Sequence, residues 1–187
     1  MLFTVFRIVS VLETKLYKTV RGVYLMKLII TDLKDFNLSI EGPHKIIKPQ
    51  SDIRHCIGCF GCWIKTPGKC VIHDGSENTG IGMSRCTELI LISRCCYGST
   101  SPFVKTVQDR AISYIHPDFV LRKGEMHHKR RYQNVISLSA YFYGEAITET
   151  EKKTARSLIH ANADNYDAQI GEIRFYRSVK ELEDIVL

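Results

Sequence analysis

Short apolar runs, set at intervals along the chain and separated by helix-like or turn-rich segments, constrain the fold more than any other feature of this sequence. "MKLIIT" (Met26 to Thr31), "HKIIK" (His44 to Lys48), "ELILIS" (Glu88 to Ser93), "NVISLSAYFYG" (Asn134 to Gly144) and "AQIGEIRFYR" (Ala168 to Arg177) each have the length and branched or aromatic content of a strand. Runs that are apolar on nearly every residue, rather than on alternate ones, belong to strands covered on both faces. Between them, "PFVKTVQDRAISYI" reads as a helix to about Ile115, with Pro102 in its first turn. "TETEKKTARSLIHANADNY" reads as a longer helix, with Thr148 as N-cap, Glu151 completing a capping box, and Ala155, Leu158, Ile159 and Ala163 on one face. "VKELEDIVL" supplies a short closing helix. Strands alternating with helices imply a parallel sheet with helices on both faces.

The 187 residues suffice for one domain with a substantial core, and no repeat or linker divides them. A net charge of +6 is concentrated in residues 1–25 and in "RKGEMHHKRR", without the continuous basic face and interleaved aromatics of a nucleic-acid binder. "MLFTVFRIVSVL" is apolar but broken by Arg7 and too short to span a membrane, and no cleavage site follows it. Arg21–Gly22 can be encoded by a purine run placed before the Met26 codon as a ribosome-binding site would be. Met26 is therefore expected to begin the native chain, with residues 1–25 outside the domain and 26–187 forming it. No nucleic-acid or membrane partner is expected.

The seven cysteines crowd into the middle of the chain, unlike the framework of a short secreted protein, and favour a reducing cytoplasm. Four of them form "CIGCFGCWIKTPGKC": Cys56, Cys59, Cys62 and Cys70, spaced C-x2-C-x2-C-x7-C. Overlapping C-x2-C steps are how ferredoxin-type loops deliver several thiolates to one iron–sulfur cluster. The same residues also suit redox-active thiols, and less well zinc, which prefers two separated pairs. Trp63 reads either as a shield over such a centre or as a packing anchor. Cys86, Cys95 and Cys96 read as reduced, partly buried cysteines that behave as small hydrophobes, and His55 and His73 as ordinary surface histidines.

"LISRCCYGSTSPFVKTVQDR" is a strand, a Gly/Ser loop and a helix, in the place where open α/β sheets bind ligands. On Ser93, Tyr97, Gly98, Ser99, Ser101, Lys105, Asp109 and Arg110 it resembles the flavin-ring segment of flavodoxin-like NAD(P)H-dependent FMN reductases, with Arg94 and Cys96 replacing the usual Pro and Tyr. The cysteine stretch resembles that of the iron–sulfur flavoprotein branch of the same family. The likeness covers about residues 26–187. It implies a three-layer sandwich on a five-stranded parallel sheet of order 2-1-3-4-5, and a homodimer holding FMN. It also implies electrons from NAD(P)H or a protein donor, and a four-iron four-sulfur cluster on Cys56, Cys59, Cys62 and Cys70. The flavin contacts it implies are Ser93, Arg94, Cys95, Cys96, Tyr97, Gly98, Ser99 and Ser101.

One departure stands out. After the first strand comes "TDLKDFNLSIEGPHK", with Asp32 and Asp35 and no glycine where the family has a phosphate-binding loop. Lys129 and Arg130, with Arg131, are the cations expected to supply the missing anion site for FMN or NADPH, and His127 or His128 to handle protons over the flavin. No catalytic residue is assigned. The resulting expectation is an FMN-dependent oxidoreductase passing electrons to an acceptor. The alternatives are an electron-carrier or metal-binding module without turnover, and a scaffold that has lost its flavin.

Overall fold

The computed structural model describes residues 26–49 and 53–187; the expectation for residues 1–25 lies outside the described residues. Strand β1 (Lys27–Thr31) and strand β3 (Glu88–Arg94) form the centre of the sheet, because their side chains are buried on both faces. β2 (His44–Ile47) pairs with β1, and β6 (Ser137–Tyr143) pairs with β3. β7 (Gln169–Tyr176) closes the other edge. All these pairings are parallel, so the chain has a mixed α/β architecture built on a five-stranded parallel sheet in the order β2-β1-β3-β6-β7. The sheet is in register through layers such as Leu28, Leu89 and Leu138. Each such Leu or Ile contributes roughly 2 kcal/mol relative to remaining exposed.

The order differs from the expected 2-1-3-4-5 because β4 (Ile115–Arg122) and β5 (Glu125–Arg130) leave the sheet as an antiparallel hairpin between its third and fourth strands. The basic run expected as a loop is thus largely β5. Lys123 (φ 52°) and Gly124 (φ 83°) close the hairpin with the left-handed pair that suits strand twist.

Helices cover one face fully. They are α2 (Thr79–Ser84), α3 (Pro102–Arg110) and α4 (Glu149–Tyr166), and they pack on a core that includes Leu28, Leu91, Val104, Phe142 and Ile159. The capping box at Thr148 and Glu151 is formed. α3 is shorter than expected: it stops at Arg110, and a 3-10 turn spans Ile112–Tyr114. The second face is thinner, because β1 is followed by irregular chain rather than a helix. There Leu33, Leu38, Leu187 and Leu182 of the short helix α5 (Val179–Leu182) cover Ile29, Ile90 and Ile92. Among the described residues no helix is long and apolar enough to cross a membrane.

Candidate functional site

The cysteine segment runs from β2 over the end of α3 and contains a single turn of helix, α1 (Gly61–Ile64). Left-handed backbone at Phe60 (φ 56°) turns the chain into that helix. Gly68 (φ 88°) makes the return; an ideal Cβ there would lie 2.5 Å from the Tyr132 hydroxyl oxygen, so only glycine fits without displacing that ring. The Trp63 indole N–H donates to the carbonyls of Ile112 (3.3 Å) and Ile115 (3.1 Å), anchoring the segment to the chain beyond α3. Trp63 is thus a packing anchor that also lines the cysteine cavity.

Cys56, Cys59, Cys62 and Cys70 all line one cavity of about 380 Å³, walled on the remaining sides by Ile57, Phe60, Trp63 and the end of α3. Cys56 and Cys59 are exposed, and Cys62 and Cys70 are buried. Burial pushes the Cys62 thiol up, and the neighbouring Cys70, Cys56 and Cys59 push it further in the same direction. Among the described residues no three His, Cys, Asp or Glu side chains are placed to grip a single metal ion.

Beneath the cavity lies an arginine clasp. Arg110, the last residue of α3, is 1% exposed. It directs Nε to Cys70 Sγ (3.2 Å), one terminal nitrogen to the Arg54 carbonyl (2.7 Å) and Asp74 Oδ2 (2.6 Å), and the other to the Ile72 carbonyl (2.9 Å) and Asp74 Oδ1 (3.0 Å). The Arg110 hydrogen bonds hold the Asp74 carboxyl down at about 2, against the opposing effect of burial. One turn earlier on α3, the Thr106 hydroxyl lies 2.8 Å from His55 Nδ1, next to Cys56.

The loop after β3 folds onto itself. Tyr97 (φ 53°) and Gly98 (φ 78°) form a left-handed turn closed by mutual Cys96–Ser99 backbone hydrogen bonds of 2.9 Å. The Cys95 N–H donates to the Tyr143 carbonyl (2.9 Å), and the Ser101 N–H to Ser93 Oγ (2.8 Å). Ser101 in turn caps α3 by accepting from the Val104 N–H. The ring of Tyr97 is in open solvent, at 94% exposure. Gly98 faces α4: a Cβ there would lie 2.7 Å from Thr154 Cβ and 2.9 Å from the Glu151 carbonyl oxygen. Beside the loop, at the carboxyl ends of the strands, a cleft of about 740 Å³ is lined by residues including Arg94, Cys95, Tyr143, Ile147 and Arg177.

At the end of β1, where a phosphate loop would stand, the Asp32 carboxylate accepts hydrogen bonds from the Arg94 N–H and the Tyr143 hydroxyl, both at 3.0 Å. Lys129 and Arg130 line neither the cleft nor the cysteine cavity. Arg130 pairs with Asp167 at 2.6 Å and donates to its carbonyl, while Arg122 donates to the Asp164 carbonyl at 2.6 Å. These cations dock the hairpin on the carbonyl end of α4, where positive charge is favoured. Lys129 lies 4.0 Å from Asp118. The His128 ring packs at a tilt between Trp63 and Phe119, and His127 Nε2 is 3.5 Å from Glu125.

The structure thus gathers the four clustered cysteines and separates them from Lys129 and Arg130. Sequence reasoning missed the Arg110–Asp74 clasp: only the Asp-Arg ending of the helix was visible, and nothing in the sequence indicated that the arginine turns toward the cysteines. No protein-family model and no curated protein matches this chain.

Proposed function

We propose that this protein is a flavodoxin-like electron-transfer protein whose redox centre is carried by Cys56, Cys59, Cys62 and Cys70. The observation behind this reading is that the four thiols line one apolar cavity with a buried cationic donor at Cys70. A four-iron four-sulfur cluster would be held there by the thiolates of Cys56, Cys59, Cys62 and Cys70, the residues that line the cavity. Bound there, such a cluster supplies one-electron exchange. Ile57, Phe60 and Trp63 would limit water around it. Cluster ligation takes thiolates, so assembly would weaken as pH falls.

Anaerobic reconstitution with iron and sulfide tests this. Wild-type protein should gain iron, sulfide and a broad visible absorbance, and Cys59→Ser should lose all three while far-UV circular dichroism stays unchanged. Wild-type protein that takes up no iron would refute the cluster.

A second reading, an FMN-dependent oxidoreductase drawing on NAD(P)H or a protein donor, is favoured by the cleft at the carboxyl ends of β3, β6 and β7. Its ring end would lie beside Arg94 and Cys95 at the end of β3. Its phosphate end does not fit: the Asp32 carboxylate occupies that position and would repel the anion. Flavin released on denaturing the purified protein would favour this reading; its absence, with iron bound, leaves the carrier.

A further inference from the structure

Arg110 places every N–H of its guanidinium on the cysteine segment. The five donors of an arginine side chain meet five acceptors here: Cys70 Sγ, the carbonyls of Arg54 and Ile72, and both oxygens of Asp74. All four partner residues lie between positions 54 and 74, while Arg110 belongs to the helix beneath. A buried ion pair by itself adds little stability over apolar packing. A guanidinium spread across two carbonyls, a carboxylate and a sulfur fixes the geometry of the loop that carries them.

The sulfur contact is the informative one. Asp74 and the two carbonyls would satisfy four donors of a purely structural arginine, yet the fifth is aimed at a cysteine that lines the cavity. We propose that Arg110 is the positioning residue of the cysteine centre: it holds Cys70 at the cavity wall and, through the Nε–H···Sγ bond, sets the reduction potential of that centre, with Asp74 moderating its charge. This rests on the reading that the four cysteines carry a redox group. Hydrogen bonds to ligand sulfurs and nearby net charge are the means by which a protein adjusts such potentials. A donor to sulfur favours the electron-rich reduced state. Asp74, by offsetting the cation, opposes it.

The two partners therefore have opposite signatures, which a merely structural pair would not. Arg110→Lys keeps the charge but loses the Nε–H and the fork. Asp74→Asn keeps the shape but leaves the cation unbalanced. Both variants and the wild type are reconstituted with iron and sulfide and titrated potentiometrically by visible absorbance. Iron content and far-UV circular dichroism are recorded on the same samples. Arg110→Lys should lower the potential by the equivalent of about tenfold in the reduction equilibrium, about 59 mV for one electron, or lose iron at unchanged circular dichroism. Asp74→Asn should raise it. Arg110→Lys with full iron and the wild-type potential overturns the proposal, as do shifts of both variants in the same direction. Wild-type protein that binds no iron removes both this proposal and the reading beneath it.

Discussion

The hydroxyl of Tyr143 donates to Asp32 Oδ1 at 3.0 Å, joining the carboxyl ends of β6 and β1 across 111 residues of sequence. The other carboxylate oxygen takes the Arg94 N–H at the end of β3. One side chain thus straps three neighbouring strands at the edge where ligands of open α/β sheets bind. Burial and the Asp32 charge push the Tyr143 phenol up, so it remains a donor. Asp32→Ala should cost about 1–3 kcal/mol by leaving these donors unpartnered. Tyr143→Phe should cost about 1 kcal/mol, and the double variant less than the sum of the two. Urea unfolding of the four proteins measures this; strict additivity would show that the bond contributes nothing.

Acid should weaken the protein through Asp74. Its folded value, about 2, lies below the ordinary 3.8, so its contribution is complete above pH 4 and is lost as pH falls toward 2. The difference corresponds to about 2 kcal/mol. Unfolding free energy measured between pH 5 and 2 should fall more steeply for wild type than for Asp74→Asn. That variant should already be weaker at neutral pH, by roughly 3 kcal/mol, because Arg110 is left buried and unpaired. Equal acid slopes would contradict this account.

Thiol chemistry should divide by position. Cys86 is fully buried, and burial pushes its thiol up to about 12. Cys56 and Cys59 are exposed. Iodoacetamide applied to the metal-free native protein at pH 8 should therefore modify Cys56 and Cys59 and leave Cys86 intact until the protein unfolds, as read by peptide mass spectrometry. Early modification of Cys86 would mean that the core around it opens readily.

Gly98 should tolerate no side chain, for reasons internal to the fold. Its φ of 78° and the closeness of Thr154 and the Glu151 carbonyl make Gly98→Val strain both the turn and the packing of α4. A loss of about 2–4 kcal/mol follows, measurable by thermal unfolding without any cofactor. An unchanged midpoint would show that the turn can separate from the helix.

The sequence by itself determined the five strands of the sheet, the helices α3, α4 and α5, and the parallel pairing. Runs such as "ELILIS" carry no polar face, which leaves two-sided burial in a parallel sheet as their outcome, and Thr148 with Glu151 marks a helix start through bonds made within four residues. The cysteine spacing likewise marked a loop whose four thiols line one cavity. Tertiary structure alone decided where the charged side chains went. Arg110 turned under the cysteine segment, Arg130 went to the end of α4, and Asp32 bridged β3 and β6. The hairpin β4–β5 also escaped the sequence reading, since a half-exposed ribbon leaning on a helix has no apolar run to declare it. Apolar burial is non-directional and follows local pattern. The partner of a long charged side chain depends on which distant segments the finished fold brings within about 3 Å, a distance that no local periodicity encodes.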